Sequence, residues 1–122
     1  MIEVELRKLL TTIPELGERV SMLYAPEGTE TPYAVYAMNR SEEDYILDGA
    51  TGNRYVTFDI NIYAKDQLKL KQIQYQVREK LLNLLGERLG DFLIQRANVN
   101  MTDFYDSAVE LSRGVVEVEL YI

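Results

Sequence analysis

The sequence contains neither cysteine nor histidine, and these two gaps exclude a good deal of chemistry. Without cysteine there is no disulfide framework, no thiolate nucleophile and no thiolate metal ligand. Without histidine the usual general base near neutral pH is missing, together with the commonest transition-metal ligand. Serine–histidine–aspartate and cysteine–histidine mechanisms are ruled out, as is nearly every structural zinc site. Long apolar runs are missing too. No stretch approaches the roughly 20 consecutive apolar residues that cross a bilayer. The opening MIEVELRKLL mixes acidic and basic groups into its apolar pattern, unlike a secretory signal. No membrane association is expected.

Nor is there a basic stripe. The formal charge is −7, and Lys65, Lys69, Lys71, Arg78 and Lys80 are offset by nearby acids or glutamines. Duplex binding by this chain alone is disfavoured, because nucleic-acid affinity rests on clustered cations. An acidic wall past which DNA slides remains compatible with the charge.

What is present suits one folded domain. A length of 122 residues is enough for a real core and too short for two domains. The plainest signal lies at residues 53–66, NRYVTFDINIYAKD. Val56, Phe58, Ile60 and Ile62 fall on one face of a strand, and Tyr55, Thr57, Asp59, Asn61 and Tyr63 fall on the other. The second face carries tyrosines among small polar groups, a composition suited to meeting another protein.

Around this strand the pattern predicts a helix over residues 2–13, with Ile2, Leu6, Leu9, Leu10 and Ile13 on one stripe and Pro14 ending it. Residues 19–24 read as a short strand and residues 25–31 as a turn-rich loop. Residues 33–38 read as a strand, 39–44 as a polar connection, and 45–47 as a resumed strand. Asp48-Gly49-Ala50-Thr51-Gly52-Asn53 reads as the loop of a hairpin, its glycines able to take positive φ. A helix over residues 67–85 is marked by Leu70, Ile73, Val77, Leu81 and Leu84, with Asp66 as N-cap. Less regular strand-like stretches follow at 91–100 and 101–106, and a clear alternation closes the chain at 114–122. The expected fold is α+β: an antiparallel sheet with two helices packed on one face.

Carboxylates are the only plentiful reactive groups. Glu42, Glu43 and Asp44 form an acidic run, Asp103 and Asp106 flank Phe104-Tyr105, and Asp59 sits mid-strand. Oxygen ligands of this kind hold magnesium in some hydrolases, but a solvated or interfacial carboxylate is the plainer reading. The DGATGN loop lacks a following Lys-Ser/Thr and enters a strand, so it has no helix terminus to bind phosphate. No catalytic residue, metal ligand or cofactor is expected. The nine tyrosines divide between core edges and interface. The candidate contact residues are Tyr45, Asp48, Gly49, Gly52 and Asn53 on the hairpin, with Tyr55, Asp59 and Tyr63 on the strand face.

The N-terminal helix, the loop with Pro26 and Gly28, the strand Thr31-Pro32-Tyr33-Ala34-Val35-Tyr36, the strand ending Ile60-Asn61-Ile62-Tyr63-Ala64 and the helix after it occur in a known order. In that order the chain resembles, over nearly its whole length, the small tail-completion proteins of long-tailed bacteriophages and prophages. The resemblance implies a tail terminator, or tail-to-head joining protein: an α+β subunit of a hexameric ring. Such a ring caps the tail tube, stops its polymerisation and presents a surface to the head connector. The implied partners are further copies of the chain, the tail tube protein and a head-completion protein, with DNA only as passing cargo. The implied location is the virion tail, assembled in the bacterial cytoplasm. Six copies would carry about −42 around a channel, which favours passage of DNA over capture. Two other expectations stand beside it: a different neck or connector component, and a carboxylate-metal enzyme centred on Asp59.

Overall fold

The computed structural model describes residues 1–108 and 110–122, with Asp106 described by its backbone only. It begins with α1 (Ile2–Leu10), whose buried stripe is Ile2, Leu6 and Leu10. The helix stops three residues earlier than its apolar spacing predicts. Thr12 and Ile13 donate their amides to Leu9 and Leu10, three residues back, at 3.2 and 3.1 Å. The Thr11 and Thr12 hydroxyls add bonds to the carbonyls of Lys8 and Leu9. These contacts tighten and close the last turn ahead of Pro14. Ile13 nevertheless reaches the core from the turn and is fully buried.

Five strands form the main sheet: β1 (Val20–Met22), β2 (Tyr33–Ile46), β3 (Gly49–Ala64), and, after α2 (Gln67–Leu82), β6 (Arg96–Asp106) and β7 (Leu111–Tyr121). Their order is β1-β2-β3-β7-β6. All neighbours are antiparallel except β1 and β2, which run parallel because residues 23–32 carry the chain back along the sheet before β2 begins. A small hairpin of β4 (Arg88–Leu89) and β5 (Phe92–Leu93) stands apart.

The core lies between the helices and one face of the sheet. Val56, Phe58, Ile60 and Ile62 are fully buried, as their alternation predicts, and the register places Ile60 between Tyr36 and Val116, and Phe58 beside Val118. Each such side chain contributes about 1.5–3 kcal/mol by leaving water. Asp66 caps α2 as expected, its carboxylate accepting from the Leu68 amide at 3.0 Å. Gln74 is also buried against this face. It donates to the Thr102 carbonyl at 3.4 Å and packs over Gly114, where a Cβ would come within 2.5 Å of its amide group.

Three expectations are corrected. First, the polar stretch 39–44 does not interrupt β2, which runs unbroken from Tyr33 to Ile46. Its partner β3 supplies backbone bonds throughout, with register shifts between Met38 and Arg40 and between Glu43 and Tyr45 that absorb the irregularity as bulges. Second, Asp48–Asn53 is not the hairpin loop. Ile46 pairs with Gly49, so the turn is only Leu47 and Asp48, and Gly49 (φ 122°) and Gly52 (φ 86°) belong to β3. Third, residues 92–93 join the separate small hairpin through a turn at Gly90, while β6 runs continuously from Arg96 and pairs with β7 up to Asp106 and Leu111.

A candidate assembly surface on the open sheet face and its projecting ribbon

Because side chains alternate along a strand, the face opposite the core is defined by register. It brings together Tyr33 and Val35 of β2, Tyr55, Thr57, Asp59, Asn61 and Tyr63 of β3, the odd-numbered residues of β7 from Arg113 to Tyr121, and Asn98, Asn100, Thr102 and Phe104 of β6. No helix covers it. The β3 residues of this face are half-buried by their neighbours along the sheet.

Aromatic pairs brace the two ends of the face. Tyr33 and Tyr63 stack at 4.9 Å between ring centres, and Tyr55 and Tyr121 at 4.6 Å. Both are cross-strand partners, the unit by which sheets gain side-chain stability. The Arg113 guanidinium lies 4.6 Å over the Phe104 ring. Between these braces is a shallow depression of about 440 Å³, floored by Asp59, Asn61, Asn100, Thr102, Val115 and Glu117. Asp59 and Glu117 stand directly opposite one another in the register, an arrangement of like charges that costs stability.

The second part of the surface is a two-stranded ribbon. β3 pairs with β7 only from Tyr55 onward, and a last pair of bonds joins Arg54 to Ile122. Residues 49–53, with the end of β2, therefore run beyond the sheet by about 17 Å at the usual strand rise. The ribbon is fastened at its base. Tyr121 donates its hydroxyl to Asp44 Oδ2 at 2.6 Å, and the Thr51 hydroxyl lies 3.2 Å from the Asp44 carbonyl. Gln95 Nε2 donates to Asn53 Oδ1 at 3.2 Å. The Asp44 carboxylate holds the Tyr121 phenol above its ordinary pKa, with burial adding in the same direction. At the far end Tyr45 and Ile46 are 67% and 61% exposed and Leu47 is fully exposed.

The residues expected at a contact surface thus fall into two groups. Tyr45, Asp48, Gly49, Gly52 and Asn53 lie on the ribbon, whereas Tyr55, Asp59 and Tyr63 lie on the open face, Tyr55 and Tyr63 each engaged in a ring stack. Sequence reasoning passed over Ile46 and Leu47 at the tip, and Asp44, Thr51 and Tyr121 at the base. The run Tyr45-Ile46-Leu47 between acidic neighbours was the available signal for the tip. The fastening bond leaves no local signal at all.

Other acidic groups are engaged elsewhere. Glu42 pairs with Arg40 at 2.6 Å and Asp103 pairs with Lys71; the side chain of Asp106 lies outside the described residues. Among the described residues no three acidic side chains converge as they would around a metal ion. No helix among them is long and apolar enough to cross a membrane.

No family model matches the chain, and no match to a curated protein was found. Its structure is similar to that of a chain in the virion of a native gene transfer agent (GTA) particle, with a TM-score of 0.66. The match covers 98% of this chain and 90% of that one at 13% sequence identity. At that identity the likeness establishes a shared fold.

Proposed function

We propose that this protein is a structural component of a phage-like virion that acts as a tail terminator. In this reading it assembles as a ring on the finished tail tube, ends tube polymerisation and offers a surface to the head connector. It works by shape and docking and carries out no bond chemistry.

The observation that carries the reading is the ribbon. An arm extending about 17 Å past its own sheet, with an apolar end in water, is suited to gripping a neighbour. Two further features support it. The edge of β2 turned away from β3, beyond Tyr36, and the outer edge of β6 have no strand partner among the described residues, and such edges are natural joints between subunits. Joints at different places on one subunit generate a ring when the rotation closes. The fold shared with a chain of a gene transfer agent virion supports the reading. The charge of −7 per copy suits a wall past which DNA moves.

Electron microscopy of particles made without this protein tests the reading. Overlong tails are expected. Tails of normal length beneath unfilled heads would instead favour a neck or connector component, and light scattering on the purified chain should detect a ring-sized oligomer at high concentration or on added tail tubes.

A further inference from the structure

We propose that β6 pairs with β6 of a second copy, antiparallel about a twofold axis at Val99, joining the two five-stranded sheets into one. A twofold contact closes on itself, whereas a ring repeats head to tail. The pair therefore goes beyond the ring reading and does not depend on it.

The outer edge of β6 is open backbone. Arg54 and Ile122 exchange both their amide-to-carbonyl bonds, at 2.8 and 2.9 Å. Successive residues of an inner antiparallel strand bond to opposite neighbours, so the even residues of β7 bond to β3 and its odd ones to β6. By the register, β7 then occupies the even residues of β6, and the N–H and C=O groups of Ala97, Val99 and Met101 point outward. They have no strand partner among the described residues. Folded chains usually blunt such an edge with a bulge, a proline or a lysine. β6 has none of these: it pairs with β7 from Arg96 to Asp106 without a register shift and contains neither residue type.

The side chains along this edge identify the occupant. Ala97, Val99 and Met101 pack against the core yet are only half-buried. A strand laid beside them extends that layer when it brings an apolar row of its own on the same face. Asn98 and Asn100 alternate with them on the open face. The run Ala97-Asn98-Val99-Asn100-Met101 thus reads alike in both directions about Val99: apolar, amide, apolar, amide, apolar. A twofold contact requires a patch complementary to itself, and this run meets the requirement. With the axis normal to the sheet, Ala97 faces the partner's Met101 and Val99 faces the partner's Val99, both on the helix side. Asn98 faces the partner's Asn100 on the open side, where the two amides can exchange hydrogen bonds. The outward backbone groups of residues 97, 99 and 101 all gain partners.

The other free edges of the chain fit β6 less well. That of β2 past Tyr36 is shifted in register twice and carries Arg40, Glu42, Glu43 and Asp44. Residues 39–44 offer no apolar row to set against Val99 and Met101. β1 is three residues long. Pairing through β6 also leaves the ribbon free for other contacts, because the ribbon belongs to β2 and β3.

The lack of native cysteine gives a clean test on the full-length chain. Facing residues of a backbone-bonded antiparallel pair have Cα atoms about 5.5 Å apart, within disulfide reach. Only a residue on the axis faces its own copy. Val99→Cys should therefore cross-link to itself at least about tenfold faster than Met101→Cys, whose copies lie about 13 Å or more apart. Mixed Ala97→Cys and Met101→Cys chains should match the Val99→Cys rate. Sedimentation of the wild type should show a dimer at concentrations too low for a ring. The double variant Asn98→Lys, Asn100→Lys keeps its fold, since each new cation stands opposite Glu119 or Glu117 of β7. Across the seam it sets lysine against lysine, and the dimer should dissociate at least about tenfold more readily, with part of the loss recovered in high salt. A wild type that is monomeric wherever no ring forms overturns the proposal. So does a dimer in which Val99→Cys cross-links no faster than Met101→Cys. Amide protection of residues 97, 99 and 101 that comes only with added tube protein would assign the edge to another chain and overturn it equally. The ring reading is judged separately, by tail length and by a ring-sized species.

Discussion

Tyr121 and Asp44, 77 positions apart in the sequence, share a 2.6 Å hydrogen bond that ties the last strand of the sheet to the base of the ribbon. The same tyrosine stacks on Tyr55 at 4.6 Å. One side chain therefore joins β7, β3 and β2 at the point where the sheet ends and the ribbon continues.

Replacing Tyr121 with phenylalanine keeps the stack and removes the bond. Amide hydrogen exchange should then quicken across residues 43–54 and stay unchanged in the buried part of β3, because local opening of a ribbon is separate from global unfolding. Assembly should weaken at the same time. Unaltered exchange in the ribbon would show that the hydroxyl does not hold it.

The bond also carries a pH dependence with a definite sign. Asp44 and burial raise the Tyr121 pKa above its unfolded value. Its contribution is therefore complete below that unfolded value, about pH 10, and is lost as pH rises through the higher folded value. Wild-type and Tyr121→Phe ribbons should exchange differently near neutrality and converge only in strong alkali. Asp44→Asn should shift one tyrosine to earlier ionisation in an ultraviolet absorbance titration.

Asp59 opposite Glu117 is a repulsion that the fold tolerates. Asp59→Asn should stabilise the chain by about 0.2–1 kcal/mol in urea unfolding, the usual scale of a cross-strand pair. A fall in stability would mean that the carboxylate has a partner in the fold. A gain in stability with a loss of assembly would place Asp59 in a subunit contact, the usual exchange between stability and function.

Gly114 is required by its neighbour and not by its backbone angles. An added methyl would come within 2.5 Å of Gln74, which is fully buried. Gly114→Ala should cost about 1–3 kcal/mol through overpacking. Adding Gln74→Ala should recover part of that loss, since contacting residues couple; independent effects in the double variant would rule out this contact as the cause.

The parts of the fold that were readable in the sequence are those with one buried face. Val56, Phe58, Ile60 and Ile62 announced β3 because water lay on one side and the core on the other. Asp66 announced the start of α2 because a cap acts through its neighbouring amides. Residues 39–46 gave no such pattern, since both faces of the ribbon meet solvent and no alternation is enforced. Gly49 and Gly52 were readable as positive-φ positions but not as strand residues, because a bulged ribbon uses the same backbone geometry as a loop. Of the candidate surface, the open face followed from the alternation. The fastening of Asp44 by Tyr121 did not, because a bond between distant residues imposes no rule on either neighbourhood.

The two-residue turn at Leu47 and Asp48 makes the ribbon a ruler with a fixed graduation. One extra residue in each strand would turn every side chain near the tip to the opposite side. Two in each strand would keep Tyr45 and Leu47 facing as they do and add about 7 Å. Relatives whose ribbons span a different length should therefore differ here by even numbers of residues per strand, and odd changes should accompany a reversed set of side chains at the tip.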